Sequence, residues 1–171
     1  MSLRPPPLDY DYAITRISQF LRDTLRKTGA SGYVMGLSGG VDSAVALALA
    51  VRAVGKDHVK VLIMPDRETT PQEDTEDAIT LASNLGVEYV VIDITDILDA
   101  YAKHVPFFDK NHRIATGNLR ARIRMTLLYY YANRNGLLVM GTSDKSEILL
   151  GYFTKYGDGG ADILPLGDVY K

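Results

Sequence analysis

The stretch Tyr33-Val34-Met35-Gly36-Leu37-Ser38-Gly39-Gly40-Val41-Asp42-Ser43 decides how the rest of the chain is read. Tyr33 to Leu37 is a short apolar strand. It runs into the turn Ser38-Gly39-Gly40, and Ser43 to Val54 then reads as an apolar helix. Two adjacent glycines let a backbone turn tightly and present bare N–H groups. Ser38 and Ser43 add hydroxyls, and the following helix points its positive end at the turn. Such a strand–turn–helix junction is an anion site suited to phosphate.

Working outward, the same alternation recurs. Upstream, Ala13, Ile14, Ile17, Phe20, Leu21 and Leu25 repeat at helical spacing, and Gly29 stops that helix. Downstream, His58 to Met64 is a second strand ended by Pro65. Thr70-Pro71-Gln72-Glu73 signals a helix start, with Thr70 as N-cap, Pro71 first in the helix and Glu73 completing a capping box. That helix ends at Gly86. Val87 to Ile92 is a third strand, nearly all apolar as a buried parallel strand would be. A helix over about 95–103 follows, then a looser stretch through Pro106, Asn111 and Gly117. A long helix spans about 118–134, closed by Gly136. Leu137 to Met140 is a fourth strand, Ser143 to Leu150 a short helix, and the Gly- and Asp-rich stretch 151–167 a loop.

Strands alternating with helices predict an α/β fold, a doubly wound parallel sheet with helices on both faces. Ligands in such folds bind beyond the C-terminal ends of the strands. That rule nominates residues 38–43, 64–70, 93–95 and 141–147.

Composition narrows the function. The chain has 171 residues, 46% of them hydrophobic, with no Cys, no Trp and a formal net charge of -2. One globular domain over 1–171 fits this length. Zero Cys removes disulfides, thiolate metal sites and Cys nucleophiles. The near-neutral balance gives no overall field for nucleic acid. Met1 to Asp9 holds three prolines, one arginine and no apolar core, so it does not read as a signal peptide. The longest apolar run, Ala44 to Val51, has eight residues, against about 20 for a membrane span. These features predict a cytoplasmic protein that meets neither membrane nor nucleic acid. His58, His104 and His112 lack ligand spacing.

The turn has no Lys before Ser43, so it is no Walker-type loop, and Gly-x-Gly-x-x-Gly is missing too. Its Ser-Gly-Gly-x-Asp-Ser pattern resembles the pyrophosphate loop of the N-type ATP pyrophosphatases, which cleave ATP between its α and β phosphates. Asp42 is odd in an anion site unless a cation accompanies it, and Mg²⁺ shared with phosphate oxygens would meet that need; an ordinary carboxylate at a helix N-terminus is the other reading. Glu147, after the fourth strand on the same sheet edge, is placed to give the metal a second carboxylate. Taken alone, residues 143–147 would read as a helix cap.

Gly141-Thr142-Ser143-Asp144-Lys145-Ser146-Glu147 and Lys155-Tyr156-Gly157-Asp158-Gly159-Gly160-Ala161-Asp162 are more specific. With the Gly-rich turn they resemble the ammonia-dependent NAD synthetases over nearly the whole chain; Asp144 stands where Asn is expected. The resemblance implies an adenine nucleotide alpha-hydrolase-like, Rossmann-like fold and an enzyme that amidates deamido-NAD with ammonia. ATP would be the co-substrate, NAD, AMP and pyrophosphate the products, and an adenylate the intermediate. It implies that Gly36, Leu37, Ser38, Gly39, Gly40, Val41, Asp42 and Ser43 cradle ATP, with Thr142 and Lys171. Asp42 and Glu147 would hold Mg²⁺. Arg122, Lys155 and Asp162 would contact deamido-NAD, and Met64-Pro65 would lie near the adenine. It also implies a homodimer, and a chain that continues past the position of Lys171.

The long helix reads partly otherwise. Arg120 and Arg124 share one face, with Arg122 elsewhere. For two of these three arginines a solvated helix face is the expected role. Leu119, Ile123, Leu127 and Tyr130 form the apolar stripe. Two other functions stay open: an ATP pyrophosphatase of the tRNA-modifying or GMP-forming type, and a non-catalytic adenine-nucleotide sensor. The first would favour a broad basic surface or a Cys pair, which this chain lacks. Zero Cys also argues against a built-in Cys-type glutaminase and for free ammonia.

Overall fold

The computed structural model of the chain describes residues 7–171. Most of the proline-rich opening therefore lies outside the described residues. Helix α1 (Tyr10–Thr28) leads into β1 (Tyr33–Gly36), α2 (Val41–Val54) and β2 (Val59–Ile63). Then come α3 (Gln72–Asn84), β3 (Glu88–Val91), α4 (Thr95–His104) and α5 (Arg113–Asn135). Strand β4 (Leu138–Val139) and α6 (Lys145–Leu150) complete the order. The strands form one sheet in the order β3-β2-β1-β4, and every pairing is parallel. Tyr33 pairs with Val59 on one side and with Leu138 on the other.

Alternation along the strands builds two cores, because successive side chains face opposite sides of a sheet. Tyr33, Met35, Val59, Val61 and Ile63 pack with Leu21 of α1, Leu47 of α2 and Ala78 of α3. Val34, Leu62 and Val139 pack on the opposite face with Leu98 of α4 and Ile123 of α5. The sheet is thus covered on both faces, as the strand–helix alternation predicts. Tyr33 is fully buried, and its hydroxyl donates to the Leu21 carbonyl at 2.8 Å, tying α1 to the sheet. Among the described residues no helix is long and apolar enough to cross a membrane.

Several expectations need correction. Strand β3 is an edge strand, with Val90 and Val91 at 40% and 44% exposure, so its apolar run does not mark burial on both faces. Thr70 does not cap α3. Its hydroxyl accepts from the Asp66 amide at 3.0 Å, and Pro71 takes the cap position without a side-chain bond. Helix α5 starts at Arg113, because His112 caps it by accepting from the Ala115 amide through Nδ1. Gly117 therefore lies inside the helix. Tyr130 is 69% exposed and leaves the stripe, while Tyr129 and Tyr131 pack against the second core. The Gly-rich stretch is more than loop: Met140 bridges to Ile163 in parallel, and Ile163 and Leu166 are buried.

The expectation that two of the three arginines lie on a solvated face also fails, since only Arg122 is exposed and Arg120 and Arg124 are half-buried. Both reach inward from α5 to the segment after β2. Arg124 Nε donates to the Met64 carbonyl at 2.9 Å. Arg120 Nε pairs with Oδ2 of Asp66, which is fully buried. Asp66 also accepts from the Glu68 amide at 3.0 Å and the Thr69 hydroxyl at 3.2 Å. The Thr95 hydroxyl reaches it at 3.3 Å. Burial pushes the Asp66 carboxyl up, but the Glu68 amide and Arg120 outweigh it and hold it below its ordinary 3.8.

A depressed carboxyl stabilises the fold fully above its ordinary range and loses that contribution as pH falls below it. Asp66→Asn is therefore expected to cost about 3 kcal/mol at neutral pH, as removal of one partner of a buried pair does. It should also flatten the fall in urea midpoint below pH 3.8. An acid limb unchanged from wild type would show that the pair does not govern it.

Candidate active site

The sheet order fixes where a site can form. From β1 the chain passes to β2 on one side, and β4 is added on the other. The loops after β1 and β4 therefore diverge and leave a crevice at their C-terminal ends. A cavity of about 490 Å³ opens there. Gly36 and Ser38 line it after β1, Met64 and Pro65 after β2, Arg124 and Leu128 on α5, and Thr142 after β4.

The turn after β1 is held by its own hydroxyls. Ser43 is buried, donates to the Gly40 carbonyl at 2.9 Å and accepts from the Ser38 amide at 3.3 Å. The Ser38 hydroxyl accepts from the Gly40 amide at 3.2 Å. The Ser43 hydroxyl thus shapes the turn, beyond the donor role read from the sequence. Gly39 has φ 87°, and a Cβ there would overlap the Asp74 carbonyl of α3. Only glycine combines that backbone angle with that approach. The amides of Gly39, Val41, Asp42 and Ser43 have no partner among the described residues. Four free donors at the start of α2 form a basket for an anion.

At the rim, Lys171 Nζ lies 2.7 Å from Oδ2 of Asp42. Asp42 raises the Lys171 pKa most, with Glu147 and Asp144 adding to the effect. Asp144 and Glu147 form a capping box at the start of α6: the Glu147 amide donates to Asp144 Oδ1 at 2.8 Å. Asp144 is 2% exposed, and its other oxygen has no hydrogen-bond partner among the described residues. The Lys171 ammonium thus meets the Asp42 carboxylate, and the charges of Glu147 and Asp144 also act on it. No group of three His, Cys, Asp or Glu residues able to hold a metal occurs among the described residues. Two carboxylates beside a phosphate basket nevertheless suit Mg²⁺, which takes one or two carboxylates plus substrate phosphates.

The remaining expected residues fall into two further places. Arg122 and Lys155 lie together on the exposed side of α5, where Arg122 Nε donates to the Lys155 carbonyl at 3.2 Å. Asp162 sits apart from the cavity lining. It accepts from the Val139 amide at 2.7 Å and from the Tyr129 hydroxyl at 3.1 Å, joining the Gly-rich stretch to β4 and α5. Burial, with the negative charge of Asp162, pushes Tyr129 up to about 12. Sequence reasoning missed Arg124 and Asp158 as cavity residues. The four-residue spacing of Arg120 and Arg124 carried the signal, but a shared face does not say whether that face meets water or protein.

The family model of NAD synthase matches residues 13–171. The NH(3)-dependent NAD(+) synthetase of Aeropyrum pernix is 56% identical over 166 residues, covering 96% of this chain and 58% of that protein. This chain spans less than two thirds of the length of the curated relatives it matches. The NH3-dependent NAD synthetase structure from Campylobacter jejuni has a TM-score of 0.88 at 39% identity, covering 96% of this chain and 70% of that one. The glutamine-dependent NAD+ synthetase of Acinetobacter baumannii, solved with adenosine diphosphate, has a TM-score of 0.90 at 36% identity. It covers 100% of this chain and 32% of its own. These neighbours share the adenine nucleotide alpha-hydrolase-like fold. A parallel sheet of order β3-β2-β1-β4, a serine-pinned Gly-rich turn at its switch point and a match over 13–171 lead to one conclusion: the chain belongs to the NAD synthase family.

Proposed function

We propose that this chain carries the ATP-binding and adenylating part of an ammonia-dependent NAD synthetase. The observation that carries the reading is the set of four unpartnered amides that follow Ser38, itself on the wall of the 490 Å³ cavity. The identity to named NH(3)-dependent NAD(+) synthetases supports it, as does the adenosine diphosphate complex of the Acinetobacter relative.

In this reading the turn 36–43 and the start of α2 bind the ATP phosphates, with Thr142 on the cavity wall and Lys171 at the rim. Arg122, Lys155 and Asp162 serve deamido-NAD. Its nicotinate carboxylate attacks the α-phosphorus, and the bond to the β-phosphate oxygen breaks. Pyrophosphate leaves with its charge matched by the amide donors. Ammonia then attacks the adenylated carbonyl, and AMP departs with the oxygen that linked it to the acyl carbon. Asp42 and Glu147 would hold Mg²⁺, which supplies positive charge for phosphate oxygens. Lys171 is then free to pair with phosphate instead of Asp42. The protein mainly orients two anionic nucleotides, and no covalent protein intermediate is required. The same reading makes the molecule a homodimer working in the cytoplasm.

Incubated with ATP, Mg²⁺, ammonium and deamido-NAD, the protein is expected to release NAD and AMP in equal amounts. AMP without NAD would point to another acceptor, and ATP binding without turnover to a nucleotide sensor. Asp42→Ala is expected to abolish Mg²⁺-dependent turnover with the circular dichroism spectrum intact. Near wild-type activity in that variant rejects the metal assignment. Lys155→Ala should raise KM for deamido-NAD more than KM for ATP; equal changes in both would separate Lys155 from the acceptor. Gly39→Ala is expected to weaken ATP binding and to lower Tm, since both the turn and the α3 contact must shift. Unchanged values in a thermal-shift titration with ATP would show that the turn tolerates a side chain.

A further inference from the structure

Arg124 is half-buried on α5 and lines the cavity. Its Nε is spent on the Met64 carbonyl at 2.9 Å. Its two η nitrogens have no hydrogen-bond partner among the described residues, and no carboxylate lies within ion-pair distance of it. The nearest candidate, Asp66, is engaged by Arg120, Thr69, Thr95 and the Glu68 amide. Burial pulls the Arg124 pKa down from the ordinary arginine value, against the attraction of Asp66. A half-buried guanidinium on a cavity wall, with donors left unused by the protein, is free to take an acceptor that enters the cavity.

The position of that guanidinium limits what the acceptor can be. Phosphate donors stand after β1, at Gly39 to Ser43. Arg124 is anchored one strand away, at the end of β2, where Met64, Pro65, Met125 and Leu128 give the cavity an apolar wall. Apolar walls with one or two placed polar groups suit a flat heterocycle. A purine ring presents bare acceptor nitrogens at its edge. Resting on the ATP-binding reading above, we infer that Arg124 positions the base. Its Nε fixes the Met64 carbonyl, and its η N–H edge donates to an acceptor nitrogen of the purine.

The test compares ATP with inorganic triphosphate, which shares the phosphates and lacks the base. Affinities of the 171-residue chain for both are measured by calorimetry with Mg²⁺ for wild type, Arg124→Met and Arg124→Lys. Thermal unfolding is recorded alongside. In Arg124→Met the ratio of ATP to triphosphate affinity is expected to fall about tenfold or more, the loss of hydrogen bonds from a charged donor. Tm should change little, since an apolar side chain of similar length removes the unpaired cation together with its bond to the Met64 carbonyl. Arg124→Lys should fall between the two, because an ammonium keeps charge but not the planar fork. An unchanged ratio overturns the inference. So does an equal loss of both ligands together with a lowered Tm, the mark of a role confined to holding Met64. Failure of the wild type to bind ATP overturns the nucleotide reading itself, and the inference with it.

Discussion

Strand β1 has a parallel neighbour on each side, and this pairing constrains everything that acts in the molecule. Parallel strands all exit at one edge, so the segments after β1, β2 and β4 are delivered to the same place. Because β1 separates the strands added on its two sides, those segments diverge and leave a crevice. The backbone ladder has no partner beyond Gly36 except the Leu37 amide, which donates to the Leu62 carbonyl at 3.0 Å. After that the Ser38 and Gly40 amides are taken by serine hydroxyls, and those of Gly39, Val41, Asp42 and Ser43 have no partner among the described residues, which leaves them for an anion.

A second set of constraints acts on the wall opposite the phosphate turn. The segment after β2 has no regular structure, so its backbone must be held by side chains. Asp66 does this from within, and Arg120 and Arg124 do it from α5. One helix face thus fixes both a buried carboxylate and a strand-end carbonyl. The two arginines are one turn apart, yet only Arg120 has an anionic partner.

The alternating pattern of strands and helices was readable because burial on one or both faces imposes a period that polar residues would break. The turn at 38–43 was readable because Gly39 must adopt a backbone angle that side chains oppose. What escaped was decided by competition between partners. Thr70 is well placed to cap a helix, but the Asp66 amide takes its hydroxyl. His112 looks idle at sequence level and turns out to begin α5. Val90 and Val91 have the composition of an inner strand and lie at an edge, because nothing in a strand states how many neighbours it has. Arg120 and Arg124 show the same limit for helices: spacing reveals a shared face, while the element packed against that face is set by the whole topology. Asp162 illustrates a residue with two claims on it, since the carboxylate that the family resemblance gives to substrate also closes the amide of Val139.

The contact between Lys171 and Asp42 joins residues 129 positions apart. The cavity wall likewise draws on segments from Gly36 to Gly160. Contacts so distant in sequence close late, since loop entropy is spent before they form. A nucleotide that binds only the finished rim draws the folding equilibrium toward the complete structure, by an amount that grows with its concentration over Kd. On the proposed function, supply of the nucleotide and survival of the folded chain become linked quantities.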